Sequence, residues 1–138
     1  LFRSNSDKRN YKRVLPNDIV YNSMRMWQAA SGLSNYEGIV SPAYTVIYTD
    51  ENSNFYRYLF KYPRVVYNFR RYSQGLTSDT WNLKYPLFSE VKVYKPQLEE
   101  QTKIATFLPQ LDKLLKGIHQ QTGNVITFKR GLLQKMFV

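Results

Sequence analysis

The chain has no cysteine. Disulfides, thiolate nucleophiles and sulfur-ligated zinc are therefore excluded, and the absence fits a reducing, cytoplasmic interior. Histidine is almost absent too. The single one, His119, has no carboxylate close to it in sequence and is expected to be a solvated helix residue, not a base. The carboxylates Asp18, Glu37, Asp50, Glu51, Asp79 and Glu90 are scattered, with neither paired nor metal-binding spacing. No glycine-rich phosphate loop exists, because "ASGLSNYEG" lacks the lysine and the flanking context. No run approaches the ~20 apolar residues of a membrane helix, and no signal-peptide core is present. These absences point away from an enzyme acting alone, and no cofactor or metal is expected.

Acidic residues are also few. Twenty Lys and Arg stand against ten Asp and Glu, a formal net charge of +10. Residues 1–96 hold 14 basic and 7 acidic groups, net +7, and residues 97–138 hold 6 and 3, net +3. Such an excess suits a polyanionic partner, since each neutralised phosphate releases counterions. With 43% apolar residues the chain can still build a core. Its 138 residues suit one domain or a domain plus an appendage. It begins at Leu1, and a fragment or a processed product is expected.

Residues 1–16 are polar and basic, and read as a loop or fraying edge. Residues 18–24, "DIVYNSM", alternate Ile19 and Tyr21 with polar neighbours and predict a strand. A long loop follows. Residues 43–49, "AYTVIYT", predict a second strand after Pro42. Phe55, Tyr58, Leu59 and Tyr62 fall at helical spacing, which predicts a helix over 53–62 with Ser53 or Asn54 as cap. A shorter helix is expected over 64–72. Residues 73–82, "SQGLTSDTWN", read as a loop. Residues 88–96, "FSEVKVYKP", alternate Val91 and Val93 with Lys92 and predict a third strand.

After Pro96 strand-like alternation ends. Ile104, Phe107, Leu108 and Leu111 mark a helical face, with Glu99 and Glu100 suited to the dipole of a first turn. Pro109 predicts a break, giving a short helix over 97–107 and a long one over 109–136. In the long helix Leu111, Ile118, Val125 and Leu132 recur every seven residues. The interleaved line, Leu115, Thr122, Lys129 and Met136, is apolar only at its ends. A seam of Leu111, Leu115, Ile118, Val125, Leu132 and Met136 predicts a coiled coil. The bland alternative is a helix folded back on its own domain. A helix of ~28 residues spans ~42 Å, too long for so small a domain to cover.

Residues 55–72, "FYRYLFKYPRVVYNFRRY", carry eight aromatics and five basic residues with no acid. Guanidinium groups pair with phosphate or guanine, and rings stack on unpaired bases. The plainer reading buries the aromatics of the helix face and leaves the cations in water. Arg reads guanine, and Asn and Gln read adenine, bidentately. The loops over 25–37 and 70–80 hold such side chains. Arg25, Gln28, Asn35, Arg71, Ser73, Gln74 and Thr77 are the candidate base readers. Lys8, Arg9, Lys12, Arg13, Lys61, Arg64 and Arg70 are the candidate phosphate contacts. Trp27 and Trp81 are read as core anchors before stacking platforms.

Three stretches in order carry a family resemblance: "NDIVYNSMRMWQAASGLSNYEGIVSPAYTVIY", then "FRRYSQGLTSDTWNLKYPLFSEVKVYKPQLEEQTKIATFLPQLDKLL", then "FKRGLLQKMF". Together they span about 11–138. The chain resembles the specificity (S) subunit of type I restriction-modification enzymes. The pieces that carry it are Asn17-Asp18-Ile19-Val20, "GIVSPAY", "SQG", "PQLEEQTKIATFL" and the Leu111-Asp112 pair.

The resemblance implies a non-catalytic DNA-reading subunit. Such subunits carry two target-recognition domains, each reading half of a split duplex sequence. Each is followed by a helical region, and the two regions pair as an antiparallel coiled coil. The subunit docks methyltransferase (M) subunits that use S-adenosylmethionine, and through them restriction (R) subunits that use ATP. Departures exist. "WQAA" stands where many relatives have "WQGA". Pro109 replaces a small polar cap. A recognition domain of the family is longer than residues 1–96, so its first part is expected to be missing.

The expectation is an α+β chain: a mixed-sheet target-recognition domain over 1–96, then a helical region over 97–138. Its expected work is sequence-specific recognition of double-stranded DNA, with M and R subunits and a second helical region, in the same chain or in a homodimer, as partners. Two rivals stand beside it. One is a truncated dimerisation and assembly module with little DNA binding of its own. The other is a single-stranded nucleic-acid binder using the aromatics of 55–72.

Overall fold

The computed structural model describes residues 9–137. The chain divides after Thr102 into two compact units.

In the first unit, strand β1 (Lys12–Val14) pairs with β4 (Gly38–Val40), Val14 lying opposite Gly38. Strand β2 (Ile19–Asn22) is the centre of a second sheet, between β3 (Ser31–Leu33) and β5 (Tyr44–Ile47). Every pairing between these strands is antiparallel, so the expected mixed sheet is corrected. For β2 and β3 the connection, residues 23–30, is shorter than the dozen or more residues that a parallel crossover needs. Ile19 and Tyr21 are buried while Val20 and Asn22 are half-buried, the period-2 pattern of the sequence.

The polar stretch before residue 17 and the long loop before residue 43 contain three strands of three residues each, namely β1, β3 and β4. A three-residue strand such as Ser31-Gly32-Leu33 is too short to show alternation. Its pairing partner decides it. Between β2 and β3, Met26–Gln28 form a single 3₁₀ turn that ends at Ala29, a left-handed residue with φ +62°.

Helix α1 (Ser53–Leu59) is capped at Asn52, one residue before Ser53 and two before Asn54, the expected caps: the Asn52 side chain accepts from the Phe55 amide at 3.1 Å. It also ends earlier. Tyr62 is extended (φ −68°, ψ 128°) because Pro63 follows and opens helix α2 (Pro63–Tyr72). The expected face is thereby cut short: Phe55 is buried but Tyr62 is 51% exposed. The core instead gathers Ile19, Tyr21, Met26, Phe60, Val65, Phe69 and Leu83. Phe88 joins them. Its ring stacks on Tyr21 at 4.8 Å and on Phe69 at 5.6 Å, and meets Phe60 edge-on at 5.7 Å.

The expected strand over 88–96 does not form. Helix α3 (Tyr85–Glu90) occupies its start, with Pro86 in its first turn. Val91 is extended (φ −68°, ψ 110°), and residues 91–97 belong to no helix or strand. The alternation was still meaningful: Val91 and Val93 pack on the core, and Lys92 and Tyr94 are exposed. Alternation encodes two environments, which an unpaired extended segment satisfies as well as a strand.

Helix α4 (Leu98–Met136) runs without interruption through Pro109, so the break expected there is also corrected. A proline within a helix removes one backbone donor and crowds the preceding turn, and a 39-residue helix tolerates this local cost of ~3 kcal/mol. Its root is tied within the first unit. Gln101 is fully buried, and its Nε2 donates to the Pro96 carbonyl at 3.0 Å and to Glu51 Oε2 at 3.1 Å. Glu51 also accepts from Tyr56 Oη at 2.5 Å and from Lys95 Nζ. The Lys95 hydrogen bond first, then those of Tyr56 and Gln101, holds the Glu51 carboxyl at about 2. Burial first, then Glu51, pushes the Tyr56 hydroxyl up to about 12.

In the second unit α4 is a single helix. The expected seam residues Leu111, Leu115, Ile118, Val125, Leu132 and Met136 are all exposed, as are Leu114, Ile126, Phe128 and Leu133.

Candidate nucleic-acid interface

The 3₁₀ turn carries Arg25, Trp27 and Gln28. Its backbone is held by its own hydrogen bonds, with the Gln28 amide donating to the Arg25 carbonyl at 2.9 Å and Ala29 to Met26 at 2.8 Å. Lys61 secures the corner from outside. Its ammonium donates to the Ala29 carbonyl, to the Ser31 carbonyl at 2.6 Å and to Ser31 Oγ at 3.2 Å. Burial, and secondarily the nearby Arg57 charge, lowers its pKa. Lys61 was expected on phosphate; here its donors serve the turn. Sequence spacing could not show this, because the contact joins residues about thirty apart.

The loop after α2 is equally constrained. Ser73 Oγ donates to the Phe69 carbonyl at 2.7 Å, so this candidate base reader terminates α2. Gln74 and Asn82 exchange backbone hydrogen bonds of 3.0 and 2.8 Å. Inside that bridge the Thr77 amide donates to Thr80 Oγ1 at 3.1 Å, and Thr80 Oγ1 donates to the Thr77 carbonyl at 2.9 Å. Gly75 has φ +152°, and a Cβ there would lie 2.7 Å from the Thr80 backbone, so only glycine closes this loop.

The two loops meet through tryptophan. Trp27 and Trp81 pack edge-to-face at 5.3 Å and 79°. The Arg70 guanidinium lies over the Trp81 ring at 5.1 Å. Trp27 Nε1 donates to the Met24 carbonyl at 3.1 Å, and the Leu83 amide donates to the Ser23 carbonyl at 2.7 Å. The turn that carries Arg25 and Gln28 is thus joined at Trp27 to the loop segment that carries Gln74 and Thr77, at Trp81. The side chains of Arg25, Gln28, Arg71 and Gln74 are exposed and make no hydrogen bond among the described residues. The joint itself was missed by sequence reasoning. The only signal was that the chain's two tryptophans fall in the two polar loops.

The other candidates lie elsewhere. Asn35 is exposed in the turn between β3 and β4, and nothing among the described residues joins it to the 73–82 loop. Its neighbours Ser34 and Tyr36 line an open cleft of about 600 Å³, to which Arg25 also contributes. On β1, Lys12 Nζ donates to the Tyr44 carbonyl at 2.6 Å. Arg13 bonds Glu37 Oε1 through Nε at 3.0 Å and Nη2 at 2.7 Å, an exposed ion pair of the kind that contributes little. Arg64 and Arg9 are exposed, and Lys8 lies outside the described residues. Among the described residues no group of His, Asp and Glu could hold a metal ion, and no helix is long and apolar enough to cross a membrane.

Arg, Gln and Thr side chains carry the chemistry that reads base edges. Among family models, the type I restriction modification DNA specificity domain matches residues 7–127. This chain belongs to that family. No curated protein matched it. The specificity domain recognises a DNA target within a restriction-modification complex, and the specificity subunit is non-catalytic. DNA and the methyltransferase and restriction subunits are its partners at family level. The specificity domain's loops, not a catalytic cleft, are therefore where its function is to be sought.

Proposed function

We propose that this chain reads one half-site of duplex DNA in the cytoplasm, through the surface joined at Trp27 and Trp81. Arg25, Gln28, Arg71, Gln74 and Thr77 contact base edges there, with Asn35 on a separate flank. Arg70, Arg64, Arg9 and the β1 cations Lys12 and Arg13 face phosphates, and Lys8, outside the described residues, is a further candidate of the same kind. Residues 1–96 serve as the recognition domain and 97–138 as the helical region. The observation that supports the reading is the joint: Trp27 and Trp81, about fifty residues apart in sequence, bring together the two loop segments that carry candidate readers. Rigid loops suit duplex edges, whereas a single-strand binder needs open aromatic platforms. Most rings of 55–72 are instead packed: Phe55, Phe60 and Phe69 are buried, and Tyr56 and Tyr72 lie against the core.

The exposed apolar line on α4 supports a second helix as partner, from the same full-length subunit or from a second copy. The test of the reading is selection of bound duplexes from a random pool with the methyltransferase subunit present. A half-site of three to five bases, or its inverted repeat, is the expected product. A flat profile would leave assembly, not reading, as this chain's role.

A further inference from the structure

Leu76 stands out on the reading surface. It is 101% exposed, the most exposed large apolar side chain among the described residues. It is not on a slack loop. The Gln74–Asn82 backbone bridge closes the segment, the Thr77–Thr80 hydrogen bonds fix its turn, and Gly75 lets the two sides approach closer than any side chain would allow. An apolar side chain held out in water by a rigid loop gains nothing in the isolated chain. It loses little conformational freedom when it is covered.

Its surroundings indicate what covers it. Arg70 and Arg71 stand at the loop's root and Gln74 and Thr77 flank Leu76, with Asp79 the only acid in the segment. That setting favours a polyanion over an apolar protein face. In the major groove the one apolar group on a base edge is the thymine C5-methyl. We propose that Leu76 contacts a thymine methyl and so fixes a thymine in the recognised half-site. The inference rests on the half-site reading above and adds one base to it.

The experiment uses the full chain assembled with its methyltransferase subunit and the duplex it selects. Each thymine is replaced in turn by deoxyuridine, which removes only the methyl. One replacement should weaken binding about four-fold, the effect of one buried methyl. Leu76→Ala should weaken binding to the thymine duplex about ten-fold and abolish the difference between thymine and deoxyuridine at that position. Leu76→Met, similar in volume and apolar, should restore the discrimination. A thymine preference that persists in Leu76→Ala, or no thymine-dependent step in a sharp profile, overturns the contact and leaves half-site reading intact. Weaker assembly with the methyltransferase subunit at an unchanged base profile also overturns it and assigns Leu76 to the protein partner. A flat profile overturns the contact together with the reading on which it rests.

Discussion

Ala29 takes the left-handed conformation at the end of the 3₁₀ turn, where an L-residue with a Cβ is disfavoured by ~1–2 kcal/mol. This is the third letter of "WQAA", the place where many relatives resembling this chain have glycine. Ala29→Gly should raise stability by up to about 1 kcal/mol, since glycine relieves the clash but loses more entropy on folding. The check is a higher urea midpoint at unchanged slope; a lower midpoint would show that the turn tolerates alanine without strain. Glu51 makes a second prediction at this scale. Its carboxyl sits at about 2 in the fold, against an ordinary value of 4.5. A group lowered by folding stabilises fully above its unfolded value, and loses that contribution as pH falls toward the folded one. The stabilisation held by Lys95, Tyr56 and Gln101 should therefore fade between about 4.5 and about 2. Thermal unfolding across that window should be flatter in Glu51→Gln than in the parent chain. Equal slopes would show the network to be decorative.

Among elements, the loop joint is the most consequential. Trp81→Ala removes both the contact with Trp27 and the perch of Arg70, so the two loops should move independently. Binding to the selected half-site should fall about ten-fold or more, with its base preference broadened. Non-specific binding, which depends on charge, should change little. Loss of both alike would place Trp81 in simple stability. Helices α1 and α2 and the two alternating strands were legible because their signals are local: period, caps and Pro63 lie within a few residues, whereas α3 lies where the alternation of 88–96 pointed to a strand. The strands β1, β3 and β4 were not legible, since each is defined by a partner. The continuity of α4 was illegible for another reason. The unfavourable effect of Pro109 is local, whereas the hydrogen bonds that offset it extend along the helix on both sides. On that helix the apolar line gives a further prediction. Ile118→Asp combined with Val125→Asp should reduce any helix-mediated self-association by at least ten-fold in sedimentation, and an unchanged mass would remove the proposed seam.

At the scale of the whole molecule, the charge excess was plain from composition, and so was the kind of partner it suits. The identity of the reading residues was only half legible. Arg25, Gln28, Gln74 and Thr77 are exposed, whereas Ser73 closes a helix and Lys61 secures a turn. Residue type names what a side chain can do; only tertiary contact shows which task engages it. The net excess of +7 over residues 1–96 predicts a binding constant that falls steeply with salt. The slope of its logarithm against log salt counts the phosphates neutralised. Arg64→Ala and Arg70→Ala should each reduce that slope by about one, and Lys61→Ala should not. A Lys61 effect equal to that of Arg64 would return it to the phosphate contacts.

The two tryptophans have an optical consequence. They are the chain's only indoles, and both lie at the joint between the two loops. Tryptophan fluorescence, excited to the red of the absorption of the chain's 12 tyrosines, therefore samples that joint. Duplex binding can be titrated without an attached dye, and the separate shares of the two rings can be assigned with Trp27→Phe and Trp81→Phe. A specific duplex should shift the emission while a random one at equal occupancy leaves it nearly unchanged, so the chain carries its own reporter for the difference between holding DNA and reading it.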